Sequence, residues 1–221
     1  MISVRNLSKS FGDVHAVRGI SFEVQQQEVV GFLGPNGAGK STTMRMITGY
    51  LEPGAGEIYV DNLSVTDNSL ETRRRIGYLP EDAPVYHDMD VIEYLRYVGE
   101  IRDIKNIEPR IREIADVCGI SKELYRSIGE LSKGYKQRVG LAQAMIHNPE
   151  ILILDEPTSG LDPNQIVEIR DLIRRLGQER TVILSTHILS EVQATCDRAL
   201  ISNLGMIVAD DTIENLQSSA G

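Results

Sequence analysis

The chain has 221 residues, enough to bury one sizeable core or one core with a smaller lobe, and its formal net charge of −9 argues against a surface built for nonspecific nucleic-acid binding. Two cysteines, Cys118 and Cys196, are too few and too scattered for a disulfide framework or a metal site, which suits a reducing cytosol. The opening Met1-Ile-Ser-Val-Arg-Asn lacks a charged-then-apolar signal pattern and no apolar run approaches the roughly 18 residues of a membrane span, so a chain soluble by itself is expected.

Residues 2 to 33 alternate as strands do: Ile2, Val4 and Leu7, then Val14 to Val17, Ile20 to Val24 and Val29 to Leu33, parted by Gly12-Asp13 and Gln25-Gln-Gln27. This pattern predicts an antiparallel sheet leading into the next segment. Phe11, one of three phenylalanines, precedes a turn. An exposed ring there could stack on an adenine, and a ring at the edge of the core would fit the pattern equally.

The next stretch, Gly34-Pro35-Asn36-Gly37-Ala38-Gly39-Lys40-Ser41, fits the phosphate-binding pattern G-x-x-x-x-G-K-S/T at every specified position. Its small residues let the backbone turn tightly, so amides from Asn36 to Thr42 are expected to face the β-phosphate of a nucleotide. Lys40 then places an ammonium against the β- and γ-phosphates, and the Ser41 hydroxyl is placed to hold a Mg²⁺ ion bridging them. A chance glycine-rich turn would lack the flanking strand and the helix predicted from Ser41 to Thr48, stopped at Gly49, whose positive end favours anions.

Strand signals recur at Glu57 to Val60 and at Arg75 to Leu79, the latter ended by Pro80. From Asp90 the period turns helical, with Ile92, Leu95 and Val98, then Ile111, Ile114, Ala115 and Cys118 before Gly119. Residues 85 to 147 therefore read as a helical insert. Ile151 to Leu154 is a continuous apolar run suited to a parallel strand buried on both faces. Asp162 can cap the following helix, with Pro163 at its first position, Gln165 closing a capping box, and Ile166, Ile169, Ile173 and Leu176 as the buried stripe. Thr181 to Ser185 is the next strand, followed by a short helix, a hairpin through Asn203-Leu204-Gly205 and a terminal helical turn. The sum is an α/β architecture with a helical subdomain, undivided by repeats, low-complexity tracts or linkers.

Asp155 and Glu156 end the buried strand at 151 to 154. Adjacent carboxylates there stabilise a fold poorly, because each must be desolvated or paired. Alone they could belong to a helix N-cap region. Beside a phosphate loop, Asp155 can hold the Mg²⁺ shell, and Glu156 can orient or deprotonate a water for in-line attack on the γ-phosphate. Ser132 begins the helix expected over roughly 134 to 145, so its hydroxyl and the neighbouring amides form a second anion-binding end, and it serves as a simple N-cap in either case.

The ordered set Leu131-Ser-Lys-Gly-Tyr-Lys-Gln137, Pro149, Asp155-Glu156, Ser159-Gly-Leu-Asp162 and His187, taken with the phosphate loop, resembles the ATP-binding subunits of ABC transporters. The resemblance runs from Phe11 to His187, most of the chain. It implies a P-loop NTPase core of ABC ATPase type with an N-terminal antiparallel β-subdomain and an inserted α-helical subdomain. Residues 1 to 221 would form one domain, with 1–84 and 148–221 as β-subdomain and core and 85–147 as the helical part carrying the signature. It assigns His187 to the γ-phosphate and to Glu156, and Asp162 to the link between two sites. Ser132, Lys133 and Gly134 would close on the ATP held by another copy, in a head-to-tail homodimer or a heterodimer with a paralogue around two ATP molecules. An integral membrane permease is the further partner, no nucleic acid is expected, and the chain would lie on the inner face of the cell membrane through that permease. His15, His87 and His147 match nothing in the family pattern and are expected as surface or packing residues.

Lys133 and Tyr135 replace the family's usual glycine and glutamine, Glu81 stands where a glutamine normally meets Mg²⁺ or the attacking water, and Gln27 replaces a common glycine. A carboxylate at Glu81 could still coordinate the metal. The first two of these departures, with Gly77-Tyr-Leu-Pro-Glu81, Leu131 to Arg138 and Gln165, make the chain similar to ABC-2 type exporter ATPases, including those associated with gliding motility, drug or polysaccharide export. Many of those carry a longer C-terminal region, so a short or shortened member is expected. In the family a groove near residues 81 to 90 receives a cytoplasmic helix of the permease. Asp82, Asp88 and Asp90 suggest that this groove is acidic and that the helix carries Lys or Arg. A soluble ABC ATPase of DNA repair would need a long coiled-coil insertion for which the spacing leaves no room. A nucleotide-gated regulator is disfavoured by the presence of both Glu156 and His187.

Overall fold

The computed structural model describes residues 1–219. Its elements are β1 (Ile2–Phe11), β2 (Val14–Val24), β3 (Val29–Leu33), α1 (Lys40–Ile47), β4 (Ala55–Val60), β5 (Leu63–Ser64), α2 (Ser69–Arg75), β6 (Ile76–Leu79), α3 (Val91–Ile101), α4 (Ile107–Cys118), α5 (Lys133–Met145), β7 (Ile151–Asp155), α6 (Pro163–Gly177), β8 (Thr181–Thr186), α7 (Leu189–Thr195), β9 (Arg198–Asn203), β10 (Met206–Thr212) and α8 (Ile213–Ser219).

Two sheets form the frame. One is antiparallel in the order β2-β1-β4-β5, and the other runs β10-β9-β3-β8-β7-β6. The run from Val29 to Leu33 does not continue the antiparallel sheet, as its position in the sequence suggested. It pairs in parallel with β8, Val30 opposite Ile183, and with β9, Val30 opposite Arg198. Strands β3, β7 and β8 are buried along their whole length. That explains the unbroken apolar runs, since a parallel strand covered on both faces has no polar side to alternate with. The two hydrophobic segments at 14 to 17 and 20 to 24 form one strand, in which Gly19 takes a left-handed φ of 67°.

Side-chain alternation then divides the core in two. On one face Val30, Phe32, Ile151 and Ile153 pack with Val4, Ile58 and Met44, burying the antiparallel sheet and α1. On the other, Leu33, Leu152 and Leu154 pack with Leu79, Leu95, Ile111, Ile114 and Val139 of the helical layer and with Ile173 of α6. Helices α3 to α5 thus share a continuous core with the sheet. The cap of α6 is the one its sequence specifies: Asp162 Oδ1 accepts from the Asn164 and Gln165 amides at 3.0 Å, with Pro163 in the first turn. Helix α2 and the short β5 had no clear sequence signal, and in α2 only Thr72 is buried.

Candidate nucleotide site

Strand β3 delivers the chain into the glycine-rich loop, where the Gly34 amide donates to the Thr186 carbonyl at 3.2 Å. Gly37 and Gly39 take φ of 82° and 91°, and a Cβ on Gly39 would overlap the Ala16 carbonyl oxygen. Only glycine fits there. The loop is held from inside by Lys40, whose ammonium donates to the Gly34 carbonyl at 2.8 Å and to that of Pro35 at 3.3 Å. As α1 starts, its first amides, those of Lys40, Ser41 and Thr42, have no intrahelical acceptors, and no acidic side chain occupies that turn to compete with an anion.

The two carboxylates meet this loop from the end of β7. Asp155, 1% exposed, accepts from the Ser41 hydroxyl at 3.1 Å and from the Ser185 hydroxyl. Glu156 follows in a left-handed conformation, φ 47°, which costs a non-glycine residue roughly 1–3 kcal/mol and persists only where the surroundings enforce it. Its amide donates to the carbonyl and the hydroxyl of Ser185, both at 3.1 Å. One carboxylate oxygen, Oε2, accepts from His187 Nδ1 at 3.0 Å. The other, Oε1, lies 3.2 Å from the Lys40 ammonium, yet the angle forms no hydrogen bond, so a buried acceptor is left open towards the cavity. A carboxylate oxygen only accepts, so the contact at Oε2 selects the imidazole tautomer that carries its proton on Nδ1. His187 itself is 46% exposed.

A cavity of about 620 Å³ opens over the loop, lined among others by Phe11, Asn36, Lys40, Ser41, Glu81 and Glu156. Phe11 is 51% exposed at its rim, so of its two readings the core-edge one is set aside. His15, expected as a surface or packing residue, lines the same cavity and bonds Ser10 Oγ at 2.8 Å; Arg18 lines it too. Ser132, Lys133, Gly134 and Asp162 are not part of this cavity wall. Ser132 caps α5, accepting from the Tyr135 amide at 3.3 Å, and Gly134 lies against Gln165, the capping-box partner of Asp162. The two segments therefore form one continuous surface. Lys133 extends over Gly160 in the loop before Asp162.

No group of three or more His, Cys, Asp or Glu side chains among the described residues could hold a metal by itself. Asp155 and Ser41 offer two oxygens side by side. That set fits Mg²⁺, which takes one or two protein oxygens and completes its shell with substrate phosphates and water.

A second cavity, about 390 Å³, lies between the core and the helical layer. Arg45 from α1, Arg73 from α2, Arg102 from the end of α3, Tyr50, Tyr78 and Pro84 line it. Burial and the neighbouring Arg73 charge hold the Arg102 guanidinium below its ordinary range, against an opposing effect of Tyr50. Asp82, Asp88 and Asp90 do not line this groove, and Asp90 instead forms the capping box of α3 with Glu93. The acidic groove expected from the sequence is thus replaced by a basic one, because its charge comes from three elements distant in sequence.

A sequence model described as ABC transporter matches residues 17–159. The ABC transporter ATP-binding protein NatA of Bacillus subtilis (strain 168) is 37% identical over 227 residues, covering 99% of this chain and 92% of the relative. The bacitracin transport ATP-binding protein BcrA of Bacillus licheniformis is also 37% identical, covering 98% and 71%. Among solved structures, one described as the ATP binding subunit of an ABC transporter superposes with a TM-score of 0.88 at 29% identity, covering 100% of this chain and 93% of that one.

Proposed function

This chain belongs to the ABC transporter family as an ATP-binding, ATP-hydrolysing subunit, and from that premise we propose that it powers a separate membrane permease of the ABC-2 exporter type. The observation that carries the reading is the contact network that joins Lys40, Ser41, Asp155, Glu156 and His187 from segments far apart in the chain, beside a cavity that Lys40, Ser41 and Glu156 line. In this reading the adenine lies on Phe11 and the phosphates on the loop amides and Lys40. The ammonium that faces Glu156 in the structure would turn part of its charge to the γ-phosphate, leaving Glu156 Oε1 to accept a water proton. Water oxygen then attacks the γ-phosphorus in line, the bond to the β-bridging oxygen breaks, and ADP and phosphate result. His187, fixed through Nδ1, keeps the carboxylate oriented. Asp155 and Ser41, with Glu81 on the same cavity wall as Ser41, would hold Mg²⁺, which would supply positive charge against the phosphate oxygens.

The signature residues Ser132, Lys133 and Gly134 open α5 with no acidic side chain in its first turn. Lying outside this chain's own cavity, they suit the γ-phosphate held by a second copy, or by a paralogue, in a head-to-tail dimer with Asp162 beside them. Residues 85–147 serve as the helical subdomain that presents them. The basic groove is where the permease would dock: an acidic helix would neutralise Arg45, Arg73 and Arg102 beside the exposed Tyr50, a composition typical of interface anchors. No helix among the described residues is long and apolar enough to cross a membrane. A peripheral place on the cytoplasmic face, through the permease, follows from this reading.

The test is Glu156→Gln with Mg-ATP. Binding should persist, hydrolysis should slow on the order of 10²-fold or more, and size-exclusion chromatography should capture an ATP-dependent dimer. Hydrolysis at the parent rate would overturn the assignment of Glu156, and a monomer at saturating ATP with the permease supplied would overturn the dimer.

A further inference from the structure

Below the site lies a carboxylate the chemistry above does not use. Glu191, on α7, is 3% exposed. Its Oε1 accepts from the Thr158 hydroxyl at 2.6 Å and its Oε2 from the Thr186 hydroxyl at 2.7 Å. Burying a charge is costly unless hydrogen bonds compensate it, and here two hydroxyls rather than a cation do so. Where those hydroxyls sit gives the arrangement its meaning. Thr158 is two residues beyond Glu156, and Thr186 immediately precedes His187. The one carboxylate therefore ties together the two chain exits that carry the paired Glu156 and His187.

We propose that Glu191 is a positioning residue for ATP hydrolysis, clamping the segments after β7 and β8 so that Glu156 keeps its strained conformation and its bond to His187. Three features argue for this role. The strained φ of Glu156 needs enforcement from outside the residue: the Ser185 bonds hold its amide, the Ser159 amide donates to its carbonyl at 3.0 Å, and the Thr158 anchor ties the turn between them to α7. Thr186 is fully committed: its hydroxyl accepts from the Ile188 amide at 3.1 Å while donating to Glu191, and its carbonyl receives the Gly34 amide at the mouth of the phosphate loop. The clamp is also rigid. Val192, next to Glu191, is fully buried and packs so closely on Gly31 of β3 that a Cβ there would stand 2.7 Å from it. Only a carboxylate presents two acceptors and no donor, so it can serve both hydroxyls at once.

The inference rests on Glu156 acting as the water-orienting base, and the experiment separates the two. Steady-state hydrolysis by the full chain with its permease is measured for Glu191→Gln, Thr158→Val and Thr158→Ser, alone and with Glu156→Gln. Glu191→Gln and Thr158→Val should lower kcat roughly 10-fold with KM for ATP within about two-fold, as for a misplaced rather than missing group, and Thr158→Ser, which keeps the hydroxyl, should stay near the parent rate. In the Glu156→Gln background neither should lower the residual rate further. Unchanged kcat in both variants, failure of Thr158→Ser to rescue, or a further loss on top of Glu156→Gln would overturn the proposal. Parent-like hydrolysis by Glu156→Gln alone would instead overturn the base assignment beneath it. Should Glu191→Gln fail to fold, the two Thr158 variants decide the matter.

Discussion

Removing the ammonium of Lys40 should do more than abolish nucleotide binding; it should destabilise the empty protein. Lys40 and Glu156 face each other at 3.2 Å with side chains 5% and 8% exposed, and the same ammonium satisfies the Gly34 and Pro35 carbonyls. Breaking a buried pair from one side costs about 3–5 kcal/mol because the other charge is left without its partner. The open cavity beside Glu156 lets water reach it, which places Lys40→Ala near the lower figure, about 3 kcal/mol. For a chain of this size each kcal/mol moves Tm by about 2–4 °C, so a fall of about 6–12 °C is expected. Glu156→Gln removes the stranded charge. The double variant should therefore regain about 2 kcal/mol relative to Lys40→Ala, a coupling typical of residues in contact. Urea unfolding of the four nucleotide-free proteins, with equal slopes across the set, measures the cycle. A double variant no more stable than Lys40→Ala would refute the reasoning, because the pair would then be a geometric neighbour without energetic weight.

The other predictions concern the helical layer. Burial first, then the Arg102 charge, holds the His147 imidazole down to about 4 from 6.5, against a hydrogen bond to the Ile76 carbonyl. Between about pH 4 and 6.5 the unfolded chain binds a proton that the folded one refuses, so stability from this group is complete above 6.5 and is lost as pH falls towards 4, by about 2 kcal/mol once partial exposure is discounted. His147→Gln should flatten that part of the pH-stability curve, and an unchanged slope would show that other groups produce it. At the basic groove, reversing Arg45 and Arg102 to Glu should weaken co-purification of the permease at least about 10-fold, the effect of roughly 1.4 kcal/mol, while Mg-ATP binding by the isolated chain stays as it was. Parent binding that is indifferent to salt, or retained after the reversal, would refute an acidic partner.

Local chemistry was readable wherever the determining residues are neighbours in sequence. The phosphate loop, the carboxylates closing β7 and the capping box of α6 each lie within a few residues, and each is found where the pattern put it. What escaped was assembled from a distance. A five-residue apolar strand such as β3 carries no mark of which sheet will take it, since its partners β8 and β9 come far downstream. The groove's sign is hidden in the sequence because Asp82, Asp88 and Asp90 fall within nine residues of one another while its three arginines come from segments far apart. Glu191 had no legible signal either, because a glutamate in a short helix reads as solvated until two threonines from other segments are seen against it. Helix α2 buries only Thr72, so it offers no periodic stripe to detect.

The strand order carries a consequence for biosynthesis. Among the described residues, strand β3 pairs with β8 and β9 alone, so the segment that presents the phosphate loop leaves the ribosome long before these partners exist for it to pair with. At 5–20 residues per second, the roughly 150 intervening residues take on the order of ten seconds to emerge. Throughout that interval Val29, Val30, Phe32 and Leu33 wait without a mate, and nascent copies of this protein should depend on chaperone cover until β8 and β9 have been translated.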